Sequence, residues 1–411
     1  MADEPVQAVQ AAPAYDVRAV RAEFPALAEG AAHFDGPGGS QVPSAVADAV
    51  GATLRAAVAN RGTETAAARR ADGIVVAARD AIADLLGVEP DGVVFGRSMT
   101  QLTYDVARTL AKGWGPGDEV VVSALDHDGN VRPWVQAAEA SGATVRWAEF
   151  DPETGELAPE AVGEVLTERT KLVAVTAASN LIGTRPDVAV IADLAHRAGA
   201  MIYVDGVHAT PHTPVDVSTL GADFYACSTY KFLGPHLGVV VAAPATLDRL
   251  SPDRLLPMPD AGPERFEFGT LPYELLAGTT AAVDFLAGLV PGDGARRDRL
   301  LRSMNVLEAY EWGMFERLRD ELARIPGVLL YGHARRRTPT ALFSVHGVPA
   351  ATVAARLAER GVNAPAGTFY AVEGARRLGL MPDGAVRAGL APYTDESDID
   401  RLLDGVRALF P

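Results

Sequence analysis

The sequence predicts an α/β protein: a large domain with a mostly parallel sheet flanked by helices, followed by a small α+β C-terminal domain. Two observations predict this fold class. From His33 to about Gly278, short apolar runs alternate with amphipathic helical stretches, which is typical of a parallel sheet covered on both faces. After Glu274, two long helical patterns precede short strand patterns that are interspersed with helices. The length of 411 residues is sufficient for two such domains.

The elements of the first part follow in chain order. Residues 1 to about 14 are rich in Ala and Gln and are expected to form a loose tail, and 15–29 has a helical pattern. Apolar runs of four to six residues then predict the strands of the sheet, with helical stretches between most of them. These predicted strands are 119–123, 144–147, 171–176, 201–204, 222–227 and 237–242.

The elements of the second part begin with helical patterns at roughly 274–289 and 296–325. The sequence Pro-Gly-Asp-Gly at 291–294 separates them, because both Pro and Gly interrupt helices. Short strands are predicted near 328–331, 340–345 and 386–390. The predicted units are an N-terminal tail and helix packed on the small domain (1–32), the large domain (33–279) and the small domain (280–411).

Composition excludes several classes of function. The net charge of −16 and the pI near 5.0 argue against nucleic-acid binding, since no basic stripe offsets the acidity. A single cysteine permits no intrachain disulfide, and the N-terminal residues do not resemble an export signal. No apolar run approaches the ~18 residues of a membrane span. We therefore expect a cytoplasmic protein that binds neither nucleic acid nor membrane.

A lysine follows the strand predicted at 222–227. Lys231 is one of three lysines beside 34 arginines, and the other two lie in turn-rich or charged stretches expected at the surface. A desolvated lysine can lose its proton and form a Schiff base with a carbonyl, which a guanidinium cannot do. Lys231 is therefore a candidate for holding an aldehyde cofactor. From this lysine alone, a snorkelling side chain at a strand end is an equal alternative.

A carboxylate supports the cofactor interpretation. Asp205 ends the apolar run Met-Ile-Tyr-Val at 201–204, and ligands bind at the carboxyl ends of strands in open α/β sheets. Pyridoxal phosphate needs a carboxylate against its ring nitrogen, because the protonated ring accepts electrons from a carbanion. A turn cap after a strand would explain Asp205 alone, but it explains Asp205 together with Lys231 much less easily.

With these motifs, the chain resembles the class V aminotransferase branch of fold-type I pyridoxal-phosphate enzymes, and most of all its cysteine-desulfurase-like members. The resemblance extends from His33-Phe-Asp-Gly-Pro-Gly-Gly-Ser-Gln-Val-Pro43 to Val386-Arg-Ala-Gly-Leu-Ala-Pro-Tyr393. It implies pyridoxal 5'-phosphate as the cofactor and an amino acid as the substrate. It also implies catalytic roles for Lys231, Asp205 and His127, whose imidazole would stack on the pyridine ring.

The resemblance also implies a set of cofactor ligands. The turn Phe95-Gly-Arg-Ser-Met-Thr100 would seat the phosphate at a helix N-terminus, through the Thr100 hydroxyl and the backbone amides of Ser98 and Met99. Asn180 and His208 would approach the phenolic oxygen, and desulfurases usually have glutamine in place of this histidine. Further phosphate ligands would be Ser228, Tyr230 and, from the neighbouring subunit of a homodimer with a shared active site, Gly269 and Thr270.

The expected substrate contacts include one consequential departure from the family. Arg387 matches the arginine that grips the substrate carboxylate in two parallel hydrogen bonds, and Asn180 lies beside it in the family. Tyr370 stands where desulfurases carry the cysteine that accepts sulfur, and Pro365 replaces an arginine found in many of them. Cys227 is expected in the core.

These residues predict a reaction. We expect a pyridoxal-phosphate lyase that cleaves the carbon–sulfur bond of cysteine or a cysteine conjugate by β-elimination, without a protein persulfide. His208 or Tyr370 could protonate the leaving group. The alternatives are an aminotransferase or epimerase of an amino acid, or a non-catalytic protein that binds the cofactor.

Overall fold

The computed structural model describes residues 15–410, so the tail predicted at residues 1 to about 14 lies outside the described residues. Within this range, no helix combines the length and the apolar character needed to cross a membrane.

The strands and helices of the described residues are numbered in chain order. The strands are β1 Ala32–His33, β2 Val93–Gly96, β3 Glu119–Ser123, β4 Thr144–Ala148, β5 Thr170–Thr176, β6 Met201–Asp205, β7 Phe224–Ser228, β8 Gly238–Val241, β9 Val328–Tyr331, β10 Thr340–Val345, β11 Val362–Asn363, β12 Ala366–Gly367 and β13 Ala385–Gly389. The helices are α1 Val17–Ala22, α2 Ser44–Arg55, α3 Ala66–Leu86, α4 Met99–Ala111, α5 Arg132–Ser141, α6 Pro159–Gly163, α7 Val188–Arg197, α8 Val217–Leu220, α9 Pro244–Arg249, α10 Tyr273–Ala287, α11 Arg296–Arg324, α12 Ala350–Ala358, α13 Val372–Arg377 and α14 Glu396–Arg407.

A seven-stranded sheet with the order β2-β8-β7-β6-β5-β3-β4 forms the centre of the larger part. β8 is antiparallel to its two neighbours, and the pairs from β7 to β4 are parallel. β5 shows how both faces are covered: Val173 and Val175 pack in a cluster with α3, α7 and α10, whereas Leu172 and Ala174 pack in another with α4 and α5. This arrangement confirms the predicted α/β fold class.

The C-terminal part contains a four-stranded antiparallel sheet with the order β12-β13-β10-β9. The helices α11, α12 and α14 pack against it around Phe315, Phe343 and Leu402. The predicted limit between residues 279 and 280 falls inside α10, a continuous helix that packs on α2 and α3. The limits 1–32, 33–279 and 280–411 stay a prediction, and this packing favours a boundary after α10.

The single helix predicted over 15–29 is wrong, because the segment is interrupted. α1 ends at Ala22, and a 3-10 helix spans Pro25–Glu29. Phe24 between them is extended, with φ −108° and ψ 96°. A residue before proline is driven out of the helical region by contact with the proline ring, so Pro25 dictates the break.

The edge of the large sheet at the carboxyl ends of β5, β6 and β7 brings distant residues together. Asp205 lies opposite Thr176 of β5 and Ala226 of β7. Gly238 starts β8 opposite Ser228 and lies directly beneath the start of α4. A Cβ atom on Gly238 would be 2.1 Å from the carbonyl carbon of Ser98, so only glycine allows α4 to begin this close to the sheet.

Candidate active site

A cavity of about 570 Å³ opens at this edge of the sheet. It brings together most of the residues predicted for the site, namely Met99, Thr100, His127, Asn180, Asp205, His208, Ser228, Tyr230, Lys231, Tyr370 and Arg387. Ser98, Gly269 and Thr270 are not among its lining residues in the described chain. Parallel strands end at the same edge, which explains why residues far apart in sequence meet here.

Lys231 enters the cavity from a single 3-10 turn that follows β7. Its Nζ atom donates hydrogen bonds to the carbonyl oxygens of Pro37 and Gly38, the latter at 3.0 Å. Burial, together with the positive charge of Arg387, lowers the pKa of the Lys231 ammonium to about 8. Near neutral pH, a substantial minority of Lys231 side chains therefore carries the free amine that attacks carbonyls.

Asp205 is the last residue of β6 and is almost fully buried. Its Oδ1 atom accepts a hydrogen bond from the backbone N–H of Val207 at 2.9 Å. Burial raises the pKa of the Asp205 carboxyl to about 6, although the charge of Lys231 opposes the change. The carboxylate is thus a buried negative charge that a cationic ring nitrogen could neutralise.

His127 is held in one orientation by the loop that follows β3. Its Nδ1 atom accepts a hydrogen bond from the N–H of Gly129 at 2.9 Å, which leaves the proton of a neutral ring on Nε2. Burial lowers the pKa of His127 to about 4, and the charge of Lys231 acts in the same direction. A neutral, fixed imidazole presents a flat face, as stacking on an aromatic ring requires.

Asp126 anchors this loop and was not among the residues predicted for the site. The buried carboxylate accepts hydrogen bonds from Asn130 Nδ2 at 2.7 Å and from the N–H of Thr176 at 3.0 Å, and it is also bonded to Ser123. Burial raises the pKa of Asp126 to about 8. Because it ties the loop to β5, Asp126 sets the position of the neighbouring His127.

The N-terminus of α4 forms one wall of the cavity. Met99 and Thr100 line this wall, while the Ser98 side chain accepts a hydrogen bond from the N–H of Gln101 at 3.1 Å and so caps the helix. On the opposite side, the Tyr230 ring stacks on His236 with centroids 4.6 Å apart. Helix N-terminal amides attract anions, so this wall suits a phosphate. The side chain of Ser98 serves the helix itself.

Gly269 and Thr270 lie outside the cavity on an exposed segment. Glu267 fixes the start of this segment, because it pairs with Arg79 at 2.8 Å and accepts a hydrogen bond from the N–H of Phe95 at 2.9 Å. Beyond it, Phe268 is exposed as well. Their predicted contact with the phosphate of a neighbouring subunit stays a prediction.

Arg387 lies on β13 at the side of the cavity formed by the C-terminal part. Its guanidinium donates to Asp35 Oδ1 at 2.8 Å and to the carbonyl of Asn180 at 2.9 Å, and it lies 3.8 Å from the centroid of the Phe369 ring. Burial lowers the pKa of Arg387, whereas the Asp35 charge opposes that shift. The sequence predicts that this guanidinium binds a substrate carboxylate. In the structure, Asp35 already neutralises part of its positive charge.

His208 and Tyr370 occupy different depths of the site. The Nε2 atom of His208 is bonded to the hydroxyls of Thr340 at 2.9 Å and Thr338 at 3.0 Å, and burial holds its pKa well below the usual value. Tyr370 is 74% exposed at the mouth, with its ring centroid 5.6 Å from that of His127. Its φ of 57°, like the φ of 54° at Phe369, is unusual for a non-glycine residue.

Three buried polar atoms test whether the cavity fits the implied cofactor. Asn180 Oδ1, His208 Nδ1 and Arg387 Nε have no hydrogen-bond partner among the described residues. Buried polar atoms are rarely left in this state, so a polar ligand is expected to satisfy them. A neutral imidazole, an amide and a guanidinium around a lysine amine and a carboxylate fit a pyridoxal phosphate with a bound amino acid.

Sequence reasoning missed four residues of the region: Asp35, Asp126, Tyr104 and Arg132. Asp35 lies within the motif at 33–43, but no local pattern links it to Arg387, and none links Arg132 to the cavity mouth. Arg132, the first residue of α5, pairs at 2.8 Å with Asp128, four residues earlier in the chain. An acidic residue beside a predicted site histidine was the one available signal for Asp126.

A lysine and a carboxylate on neighbouring strand ends, beneath a helix N-terminus, define a pyridoxal-phosphate enzyme of fold-type I. The family model described as aminotransferase class-V matches residues 32–402, and the chain therefore belongs to the class V aminotransferase family. The cofactor of this family is pyridoxal 5'-phosphate, and the protein is a pyridoxal-phosphate-dependent enzyme that resembles cysteine desulfurases.

Three similar proteins show the range of this family. The chain is 36% identical over 402 residues to an uncharacterized protein of Mycobacterium tuberculosis, covering 96% of this chain and 100% of that protein. It is 31% identical over 402 residues to an aminotransferase-like protein of Gibberella zeae, covering 95% and 97%. The crystal structure of the cysteine desulfurase CsdA from Escherichia coli matches with a TM-score of 0.84 at 29% identity, covering 96% of this chain and 98% of that chain.

The lowered pKa of Lys231 predicts how cofactor uptake depends on pH. Only the neutral amine attacks the aldehyde, so the uptake rate of the apo-protein should rise about tenfold per pH unit below pH 8 and level off above it. The growth of visible absorbance after mixing with cofactor measures this rate. The reference compound N-acetyl-lysine amide, whose side-chain amine is fully hydrated, should instead react with the cofactor at a rate that rises up to about pH 10. A rate for the protein that follows this reference would contradict the prediction.

Proposed function

We propose that the protein is a lyase that cleaves the carbon–sulfur bond of cysteine or a cysteine conjugate by β-elimination and forms no protein persulfide. Water and the substrate RS–CH₂–CH(NH₃⁺)–COO⁻ would give the thiol RSH, pyruvate and ammonium. The proposal that no protein persulfide forms rests on the position of Cys227, the single cysteine of the chain.

Cys227 is poorly suited to accept sulfur from a substrate. It lies within β7, is fully buried and is not among the residues that line the active-site cavity. Burial raises the pKa of its thiol, and the nearby Asp205 charge raises it further. A nucleophilic cysteine needs an exposed, readily ionised thiol. This environment therefore supports a reaction in which the sulfur leaves the substrate as the thiol RSH and is not transferred to the protein.

The side chains around the cavity have distinct proposed tasks. Arg387 binds the substrate carboxylate through Nε, which has no partner among the described residues, while Nη2 is bonded to Asp35. His127 stacks on the cofactor ring, and Asp205 keeps the ring nitrogen protonated. The α4 N-terminus, with Thr100 and Ser228, holds the phosphate.

The proton transfers can be assigned to residues of this chain. Bound pyridoxal phosphate supplies a carbonyl that binds amines and a ring that takes up the electrons of the breaking Cα–H bond. Lys231, displaced by the substrate amine, removes the proton from Cα with its neutral Nζ. The electron pair of the Cα–H bond then forms the Cα–Cβ double bond as the Cβ–S pair departs with sulfur.

Tyr370 is the favoured proton donor to the departing sulfur. Its phenol lies at the cavity mouth beside His127. His208 is the weaker candidate, because burial keeps its imidazole neutral and Thr338 and Thr340 occupy its Nε2 atom. These contacts support Tyr370 over His208, a choice that the sequence left open.

A product assay tests the proposal. The purified protein should release equal amounts of pyruvate and ammonium from L-cysteine, L-cystine or an S-alkyl cysteine, with no added keto acid. The Cys227→Ala variant should keep kcat within about twofold, because an elimination does not use the thiol. Loss of sulfur release in this variant, while its cofactor absorbance is retained, would show that the thiol takes part. Absence of pyruvate from all these substrates would end the lyase proposal.

Aminotransfer is the second candidate, and the similarity to the aminotransferase-like protein of Gibberella zeae supports it. Transamination needs a keto acid to regenerate the enzyme and produces no free ammonium. Turnover that requires added keto acid would therefore favour it over elimination, whereas solvent deuterium incorporation at Cα with a retained amine would indicate epimerisation.

We also propose a homodimer that shares its active sites and is located in the cytoplasm. Leu255 and Leu256 are 62% and 101% exposed, and Phe268 is exposed next to Gly269 and Thr270. Contiguous exposed apolar side chains, such as those of the consecutive Leu255 and Leu256, are a feature of interfaces. A monomer by analytical ultracentrifugation at micromolar concentration would exclude the shared site.

A further inference from the structure

A second cavity of about 370 Å³ lies between α11 and the segment before β10. It shares no lining residue with the active-site cavity, although His208 of that cavity and His212 of this one have ring centroids 5.2 Å apart. Its volume is in the range of small-ligand pockets, which span about 300–1,000 Å³. Nothing in the proposed elimination uses it.

The lining of this cavity is positively charged in an acidic chain. Four arginines and two glutamates line it: Arg185, Arg335, Arg336, Arg337, Glu308 and Glu311. Arg185 pairs with Glu308 at 2.6 Å, and Arg336 lies 3.7 Å from Asp187. Arg335 and Arg336 are exposed at the rim, where their planar guanidiniums could meet a carboxylate in two parallel hydrogen bonds.

The floor of the cavity carries a buried acceptor. Glu311 is 1% exposed, and its Oε2 atom is bonded to Nδ1 of His212 at 2.8 Å. Its Oε1 atom has no hydrogen-bond partner among the described residues. A buried carboxylate oxygen without a donor is costly, so a donor is expected to reach it from the cavity.

Arg337 supplies a second buried polar atom of this kind. It is 7% exposed, and its guanidinium lies 4.9 Å from the centroid of the Phe315 ring. Its terminal nitrogens donate to backbone carbonyls, whereas Nε has no partner among the described residues. The residues that line the cavity thus include one unpartnered donor and one unpartnered acceptor, as far as the described residues show, together with two exposed arginines.

We propose that this cavity is a second binding site, for a small α-amino acid in its zwitterionic form. The ammonium group donates to Glu311 Oε1, and the carboxylate is bound by the guanidiniums of Arg335 and Arg336. A simple anion would satisfy the arginines but not the glutamate. The cavity also joins α11 to Arg185 and His212 of the larger part, so a ligand here contacts both parts of the chain.

Equilibrium dialysis with radiolabelled L-alanine tests the proposal on the holoenzyme after borohydride has fixed the cofactor to Lys231. Arg335→Ala/Arg336→Ala and, separately, Glu311→Gln should each weaken L-alanine binding about tenfold or more, since each removes a charge-assisted hydrogen bond. The active-site variant Arg387→Ala should leave this binding unchanged. Propionate, which lacks the ammonium group, should bind at least about tenfold more weakly than L-alanine.

Trp312 lines the cavity and provides a local signal, so L-alanine should also change its fluorescence, and Trp312→Phe should lose that change. Binding that survives in the double arginine variant, or is lost only in Arg387→Ala, would overturn the proposal. Equal affinity for propionate would overturn the zwitterion assignment. The two arginines are exposed, so a folding failure is not expected there, and circular dichroism checks the Glu311 variant. None of these outcomes depends on whether the enzyme performs elimination.

Discussion

Lys231→Ala should abolish the visible absorbance band of the holoenzyme and lower kcat/KM at least about 10³-fold. The loss of general-base catalysis alone costs about 10²–10⁴-fold, and the lost covalent attachment of the cofactor adds to it. The free energy of unfolding of the apo-protein should change by about 1 kcal/mol or less, because the cost of burying the ammonium opposes its hydrogen bonds to the carbonyls of Pro37 and Gly38 and its contact with the Tyr230 ring. Absorbance spectra, steady-state kinetics and denaturant unfolding measure the three quantities.

Two further variants separate the chemistry of Lys231 from its charge. Lys231→Arg keeps a cation in the cavity but cannot attack a carbonyl, so it should be as inactive as the alanine variant. Lys112→Ala removes a surface lysine that pairs with Asp253 at 2.7 Å, and it should behave as the parent protein. Substantial activity in Lys231→Arg would show that the lysine acts only through its charge.

Asp205→Asn should lower kcat/KM about 10²–10³-fold, the size of the loss when one preorganised electrostatic group is removed from an active site. The amide keeps the shape of the side chain, and its oxygen can still accept the hydrogen bond from Val207. It cannot hold the ring nitrogen of the cofactor in its protonated form, because it carries no negative charge. Kinetics of the cofactor-saturated variant measure the effect.

The conservative variant and the pH dependence provide controls for Asp205. Asp205→Glu retains the negative charge but places it one methylene group farther from the backbone. It should recover part of the activity that Asp205→Asn loses. Burial raises the pKa of this carboxyl to about 6 in the protein without cofactor, so the affinity of the apo-protein for the cofactor should fall as the pH drops through 6. The cofactor affinity of Asp205→Asn should not show this decrease near pH 6. An asparagine variant with parental kcat/KM would remove Asp205 from the mechanism.

Much of the fold could be predicted because its signals are local. β3 has the predicted limits 119–123, and β5 begins one residue before the predicted 171–176. A buried parallel strand is a continuous apolar run, and a covering helix has its own period, so each can be identified within a short window. The helix predicted over 15–29 was wrong because one proline outweighs an otherwise helical pattern.

The predicted site residues were of two kinds. Lys231 and Asp205 follow apolar runs, and their chemistry was apparent from residue type and position. Arg387, Asn180 and Tyr370 were selected by resemblance to a family, and the structure places all three at the cavity. The predicted contact of the Ser98 backbone amide with the phosphate stays a prediction, because Ser98 does not line the cavity, whereas its neighbours Met99 and Thr100 do. The Ser98 side chain caps α4.

The sequence by itself determined the alternation of strands and helices, the lysine and carboxylate at two strand ends, and the single cysteine in an apolar run. Only the tertiary structure decided that Arg387 pairs with Asp35, 352 residues away, and that Asn180 donates to the carbonyl of Phe369, 189 residues away. It also decided that Glu311 and Arg337 share a second cavity. Periodicity and residue type are properties of neighbours along the chain. The partners, burial and pKa values of charged side chains depend on segments that only folding brings together.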